Sequence, residues 1–178
     1  NFANIDDDLK DQSFDPGNKY SVPFMYGSIG IAYNKKYVEE PTSWQDLWNP
    51  EYSGKVTLQE TPLEVVSMAL QMLGHDIHEP TDEQLEEAKQ KLLELNESVL
   101  TYSATPSNLF VSEQAWIGFT YGDAAGKAHL ENPDVSYVLP KEGGILWMDN
   151  MSIPTTSENK YTAEVFINFI LDPEISKM

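Results

Sequence analysis

The amino-acid sequence predicts an α/β fold, a mainly parallel sheet flanked by helices. Short apolar, β-rich runs alternate along the chain with capped and amphipathic helical stretches, the pattern of strand–helix–strand units. Neither an internal repeat nor a low-complexity tract breaks that alternation. With 40% hydrophobic and 11% aromatic residues among 178, the chain can fill one substantial core.

Residues 1–19 are acidic and rich in turn formers, with Asp15-Pro16-Gly17-Asn18 as a turn. A strand pair is expected next, over residues 20–26 and 28–34, where Gly27 and Gly30 permit close backbone approach. Thr42 to Trp48 reads as a short capped helix, because Ser43 and Asp46 stand at capping-box spacing. A strand at 55–58 leads to helices over residues 62–73 and 82–96, the second started by Thr81 and Gln84; a third, over 108–114, follows Ser107. Residues 116–121 read as a buried strand running through Gly122-Asp123 into a helix at 124–132. A strand at 135–139 and an extended crossover at 144–153 precede an amphipathic helix at 160–171, which stops before Asp172-Pro173. The last residues, through Met178, read as a helix that has only just started, so the chain is expected to be a piece of a longer protein.

Eleven Lys and Arg against 29 Asp and Glu leave a formal net charge of −18. That charge repels phosphate backbones and anionic headgroups and concentrates cations, which argues against a nucleic-acid partner and suits a cationic one. An ordinary solubilising surface would carry the same acidity. The absence of cysteine removes disulfides, thiolate metal sites and a cysteine nucleophile together. No stretch approaches the roughly 18 apolar residues of a membrane span, and Asn1 to Asp8 carries neither the basic nor the apolar region of a secretion signal. His75 and His78 lack a third ligand at metal spacing, and Asp6-Asp7-Asp8 lacks the glycine and terminal glutamate of a calcium loop. No phosphate-binding glycine loop or G-x-S-x-G elbow is present, so no metal, cofactor or nucleophilic site is expected.

In the run from Lys141 to Asp149, an indole and a carboxylate stand two positions apart, at Trp147 and Asp149. An extended backbone projects residues i and i+2 from one face, so the pair would present a π-surface beside a negative charge. That combination suits an organic ammonium ion, whose methylenes pack on the indole and whose N–H groups donate to the carboxylate. The spacing alone equally allows a core aromatic next to a turn or cap carboxylate. Glu64 carries a similar ambiguity, since Thr61-Pro62-Leu63-Glu64 has the spacing of a capping box with proline at the first helical position.

Taken in order, several segments resemble the central part of the spermidine/putrescine-binding proteins, the extracytoplasmic receptors of polyamine ABC transporters. They are Phe14-Asp15-Pro16, Tyr20-Ser21-Val22-Pro23 with Gly27, the run from Thr42 to Gly54, Glu64-Val65 with Met68-Ala69-Leu70, the run from Pro140 to Asp149, and Ile167-Asn168-Phe169-Ile170-Leu171. The resemblance implies a periplasmic-binding-protein-like (type II) fold: two α/β lobes with mixed, mainly parallel sheets, crossing strands between them, and ligand in the cleft. It makes residues 25–147 the second lobe and assigns 1–24 and 148–178 to the hinge and to partial segments of a first, mostly absent lobe. Trp147 and Asp149 become the aromatic and carboxylate ligands, and Glu64 a carboxylate that receives an amine. Where the family commonly has an aspartate this sequence has Thr61, beside Glu60, which either supplies the displaced charge or leaves one amine held less tightly. The family's second-lobe tryptophan aligns near Thr120-Tyr121-Gly122-Asp123, so Tyr121 stands in as a stacking platform and Asp123 adds a carboxylate. A core aromatic at a strand end is the alternative for Tyr121.

The function this implies is the non-catalytic, extracytoplasmic solute-binding component of an ABC importer, which hands a protonated polyamine to a membrane permease. Two other classes stand beside it. One is a carboxylate-pair hydrolase with Glu60, Glu64 or Asp149 as acid and base; the other is a structural or interaction domain. A lobe without its partner is also expected to expose its cleft face and to associate into dimers.

Overall fold

The computed structural model describes residues 2–176, and the chain divides into two units: Gly27–Leu146, and the flanking segments Asn1–Tyr26 with Trp147–Met178. Strands β1 (Val22–Asn34) and β6 (Ile145–Met151) carry the chain from one unit into the other. The remaining strands, β2 (Val56–Leu58), β3 (Val99–Tyr102), β4 (Ile117–Tyr121) and β5 (Val135–Val138), lie within Gly27–Leu146. Their order is β3-β2-β4-β1-β5, with β6 paired to β1 outside that path. The sheet is mixed, as the resemblance implied, but it is not mainly parallel: β2 runs parallel to β3 and β4, whereas β1, whose neighbours are β4 and β5, runs antiparallel to both.

Two strand expectations need correction. Residues 20–26 and 28–34 do not form a pair; Val22–Asn34 is one continuous 13-residue strand. A glycine at position 27 reads as a break in sequence, yet nothing forbids it from continuing an extended backbone. Strand β3 has no counterpart in the sequence reading. Its Val99-Leu100-Thr101-Tyr102 alternation is only four residues long and follows helix α2 closely, which gives a periodicity argument little to work on.

Helices α1 (Pro62–Leu73) and α2 (Asp82–Asn96) fall where they were expected. Gly74, at φ 79°, ends α1, and the Thr81/Gln84 box that starts α2 forms in both directions. The Ser43/Asp46 box also forms, on a 3₁₀ helix spanning Trp44–Trp48. Helix α3 (Ser107–Val111) is shorter than expected, and Ser107 does not cap it. Its hydroxyl instead donates to the Ala124 carbonyl at 2.9 Å, tying α3 to α4 (Gly122–Glu131).

The core of this unit includes two separate clusters. Ala32, Phe110, Ala115, Ala125, Ala128 and Val135 form one cluster; Ala69, Leu70 and Ala88 join α1 to α2 in another. Gly118 lets β2 and β4 approach, since a Cβ there would collide with the Thr57 carbonyl oxygen. His75 links α1 and α2 through Nε2 to the Glu87 carboxylate at 2.9 Å and through Nδ1 to the Gln84 amide at 3.3 Å.

In the other unit, α5 (Lys160–Ile170) and α6 (Pro173–Ser176) follow β6. The amphipathic pattern of α5 is real, but no residue of it is buried, and Tyr161, Val165, Phe166 and Phe169 are exposed. Asp15 organises the loop ahead of β1. Only 4% exposed, its carboxylate accepts from the Ser21 hydroxyl at 2.7 Å and from the backbone N–H groups of Lys19, Tyr20 and Ser21.

The Ser21 hydroxyl bond, helped by those backbone N–H groups and opposed by burial, holds the Asp15 carboxyl below the usual carboxylate range. A depressed carboxyl stabilises the fold above its unfolded value of about 3.9, and that contribution is lost as pH falls through the folded value. Asp15→Asn is therefore expected to be less stable than the parent near pH 7, with the gap closing toward pH 3. Urea denaturation at both pH values checks this, and a gap that stays constant would contradict it.

Candidate functional site

Within Gly27–Leu146 the expected site residues lie where parallel strands end and helices begin. The β2–β4 ladder reaches Leu58 opposite Phe119, after which β2 leads into α1 and β4 into α4. Carboxyl ends of parallel strands are where open α/β sheets leave a crevice for ligands, beside helix N-termini. Glu60, Thr61 and Glu64 follow β2; Tyr121 and Asp123 follow β4. These five expected site residues thus share one edge of the sheet. The chain also enters and leaves the unit there: Ile29 of β1 pairs with Tyr121, and a Cβ on Gly144 would lie 2.7 Å from the Ile29 carbonyl oxygen.

Their environments differ. Glu60 is exposed and Glu64 half-buried in the first turn of α1, where the helix dipole favours its negative charge. The capping box expected at Thr61 and Glu64 does not form. The Thr61 side chain makes no cap bond, and its Oγ1 is buried without a hydrogen-bond partner. Glu64 is therefore not held as a cap. Tyr121 is half-buried at the N-terminus of α4. Asp123 is exposed and forms an ion pair with Lys127 at 2.9 Å, so its charge is partly answered by its own helix.

Beside Glu60 and Thr61 opens a hollow of about 270 Å³, walled by Pro62, Val65, Leu92 and Tyr102. Tyr102 reaches it from the end of β3, in register with Leu58. It was missed with its strand. Gln59 was missed as well, although it immediately precedes Glu60. Buried to 1% exposure, it donates from Nε2 to Thr120 Oγ1 at 2.9 Å.

Trp147 and Asp149 lie on β6, in the other unit. The extended conformation expected of them is present, so they project from the same face of the strand, the indole half-buried and the carboxylate exposed. The preceding Lys141 to Gly144 run acts as a latch within Gly27–Leu146. Glu142 accepts from the Ser43 hydroxyl and from the Trp44 backbone N–H, the Trp44 indole N–H donates to the Gly143 carbonyl at 3.2 Å, and Lys141 N–H donates to Thr42 O at 2.8 Å.

No group of three or more His, Cys, Asp or Glu side chains is placed to hold a metal ion among the described residues, and no helix among them is long and apolar enough to cross a membrane.

The whole chain, residues 1–178, matches the family described as bacterial extracellular solute-binding proteins, and it belongs to that family. It is 36% identical over 180 residues to the spermidine/putrescine-binding periplasmic protein of Escherichia coli (strain K12), covering 99% of this chain and 52% of that protein. It is 30% identical over 181 residues to a putrescine/cadaverine-binding protein of Pseudomonas aeruginosa, covering 91% of this chain and 50% of the relative. The crystal structure of a spermidine/putrescine ABC transporter substrate-binding protein from Streptococcus pneumoniae superposes with a TM-score of 0.84 at 38% identity, over 97% of this chain and 54% of the other. The chain thus spans about half the length of the relatives it matches.

Proposed function

We propose that this protein is the polyamine-capturing receptor of an ABC importer, working outside the cytoplasm and delivering its ligand to a membrane permease. The observation that carries the reading is the clustering of Glu60, Glu64, Tyr121 and Asp123 at the strand-end crevice of a chain whose relatives are named for spermidine, putrescine and cadaverine. A polyamine is a chain of methylenes punctuated by ammonium groups with pKa near that of lysine, about 10, so it stays cationic at neutral pH. Carboxylates answer the ammonium groups with charge-assisted hydrogen bonds; aromatic faces cover the methylenes and attract the charge. In this reading Glu60, Glu64 and Asp123 supply charge, Tyr121 and Trp147 supply faces, Asp149 supplies a further carboxylate, and Thr61 offers a hydroxyl without charge. No covalent bond changes, in keeping with relatives that are named as binding proteins.

The unit Gly27–Leu146 then corresponds to the second lobe, and the flanking segments to the hinge and part of the first, whose remainder lies outside this chain. The half-length coverage of the relatives supports this. So do the exposed Tyr161, Val165, Phe166 and Phe169 on α5, an apolar face that further chain would cover, and that would otherwise draw two copies together. Calorimetric titration with putrescine, spermidine and spermine tests the proposal. The complete protein is expected to bind, and residues 1–178 alone to bind far more weakly, because exposed ion pairs contribute only about 0–1 kcal/mol each and are screened by salt. Submicromolar binding by the isolated chain at physiological salt would contradict the two-lobe reading; absence of binding by the complete protein would contradict the ligand.

A further inference from the structure

The backbone ladder between β2 and β4 ends at Leu58 and Phe119, but the pairing gains one more rung through side chains. Gln59 Nε2 donates to Thr120 Oγ1 at 2.9 Å, with Gln59 1% and Thr120 0% exposed. Each partner is the last residue before a ligand group, Gln59 before Glu60 and Thr120 before Tyr121. One rung earlier, Gly118 lies against Thr57 with no room for a side chain between them. The ends of the two strands are thus fixed relative to each other by a directional bond where the polypeptide is about to diverge into α1 and α4.

Burying an amide and a hydroxyl costs free energy unless they are bonded, and an apolar pair would fill the same space. What the polar pair adds is direction: a donor–acceptor distance and angle that apolar packing does not impose. We infer that Gln59 and Thr120 are a positioning pair, which sets the separation between the ligand groups after β2 and those after β4 and so tunes which spacing of ammonium groups the site holds best. The inference rests on the polyamine reading above. It assigns neither residue a contact with the ligand.

The test uses the complete protein and two probes that differ in ammonium spacing, putrescine and spermidine. Removing both partners by near-isosteric apolar groups, in the double variant Gln59→Met/Thr120→Val, leaves no orphaned polar atom and is expected to keep the melting temperature close to the parent's. Affinity should nevertheless fall by at least about fivefold, the scale of one net hydrogen bond, and the ratio of the two affinities should shift. Thr120→Ser, which keeps the hydroxyl, is expected to retain both affinities, while Thr120→Val alone loses them in the folded fraction. A folded double variant with unchanged affinities and an unchanged ratio would overturn the inference, as would equal binding by Thr120→Val and Thr120→Ser. Failure of the parent protein to bind either amine would instead overturn the polyamine reading, and the inference with it.

Discussion

Replacing Trp44 with alanine is expected to destabilise the Gly27–Leu146 unit by about 3–5 kcal/mol, the range for truncating a buried aromatic. Trp44 is fully buried, lies tilted against Phe119 with ring centroids 5.4 Å apart, and donates its indole N–H to the Gly143 carbonyl. Truncation therefore opens a cavity and at the same time removes a hydrogen bond that holds the Lys141 to Gly144 latch. For a protein of this size the loss corresponds to a fall in melting temperature of roughly 6–20 °C. Trp116 provides the contrast: half-buried, it stacks on Tyr37 at 4.6 Å and carries Lys55 over its ring, and its truncation should cost much less. Thermal denaturation of both variants decides the matter. A Trp44→Ala protein that melts within about 2 °C of the parent, below the cost of even one kcal/mol, would contradict the latch and the packing together.

The second large effect concerns Trp147. If its indole covers the methylenes of a polyamine and attracts the neighbouring ammonium, Trp147→Ala should cost at least about 2 kcal/mol of affinity, the scale of a desolvated cation–π contact. A merely structural Trp147 gives the reverse pattern, in which melting temperature drops while the folded fraction keeps its affinity. Titration and melting measured on the same preparation separate the two. Unchanged affinity in folded Trp147→Ala would remove this residue from the proposed site.

Much of the local structure was legible because it is locally caused. Proline at 62 and the Thr81/Gln84 pair start α1 and α2 with short-range chemistry, and the two-residue spacing of Trp147 and Asp149 needed only an extended backbone. Spacing misled where it was necessary without being sufficient. Thr61 and Glu64 stand at capping distance, yet the Thr61 hydroxyl is buried without a hydrogen-bond partner, and Ser107 spends its hydroxyl on Ala124. The interactions that order the strand-end edge were beyond reach for a different reason. Gln59 meets Thr120 across 61 positions and Ser43 meets Glu142 across 99, so no window of helical or strand periodicity contains both partners. The resemblance to the polyamine-binding family pointed to Glu60, Thr61, Glu64, Tyr121 and Asp123; the parallel β2–β4 pairing explains why such distant positions share one edge.

The most direct test of polyamine capture is the change of a single charge. Asp149→Asn in the complete protein keeps the shape of the side chain and its place on β6 while removing the charge proposed to meet an ammonium group. Spermidine affinity, measured by calorimetry beside the melting temperature, is expected to fall by roughly 1.5–3 kcal/mol, the scale of a hydrogen bond to a charged group, with melting unchanged. A well-folded Asp149→Asn protein that binds spermidine as tightly as its parent would contradict the account.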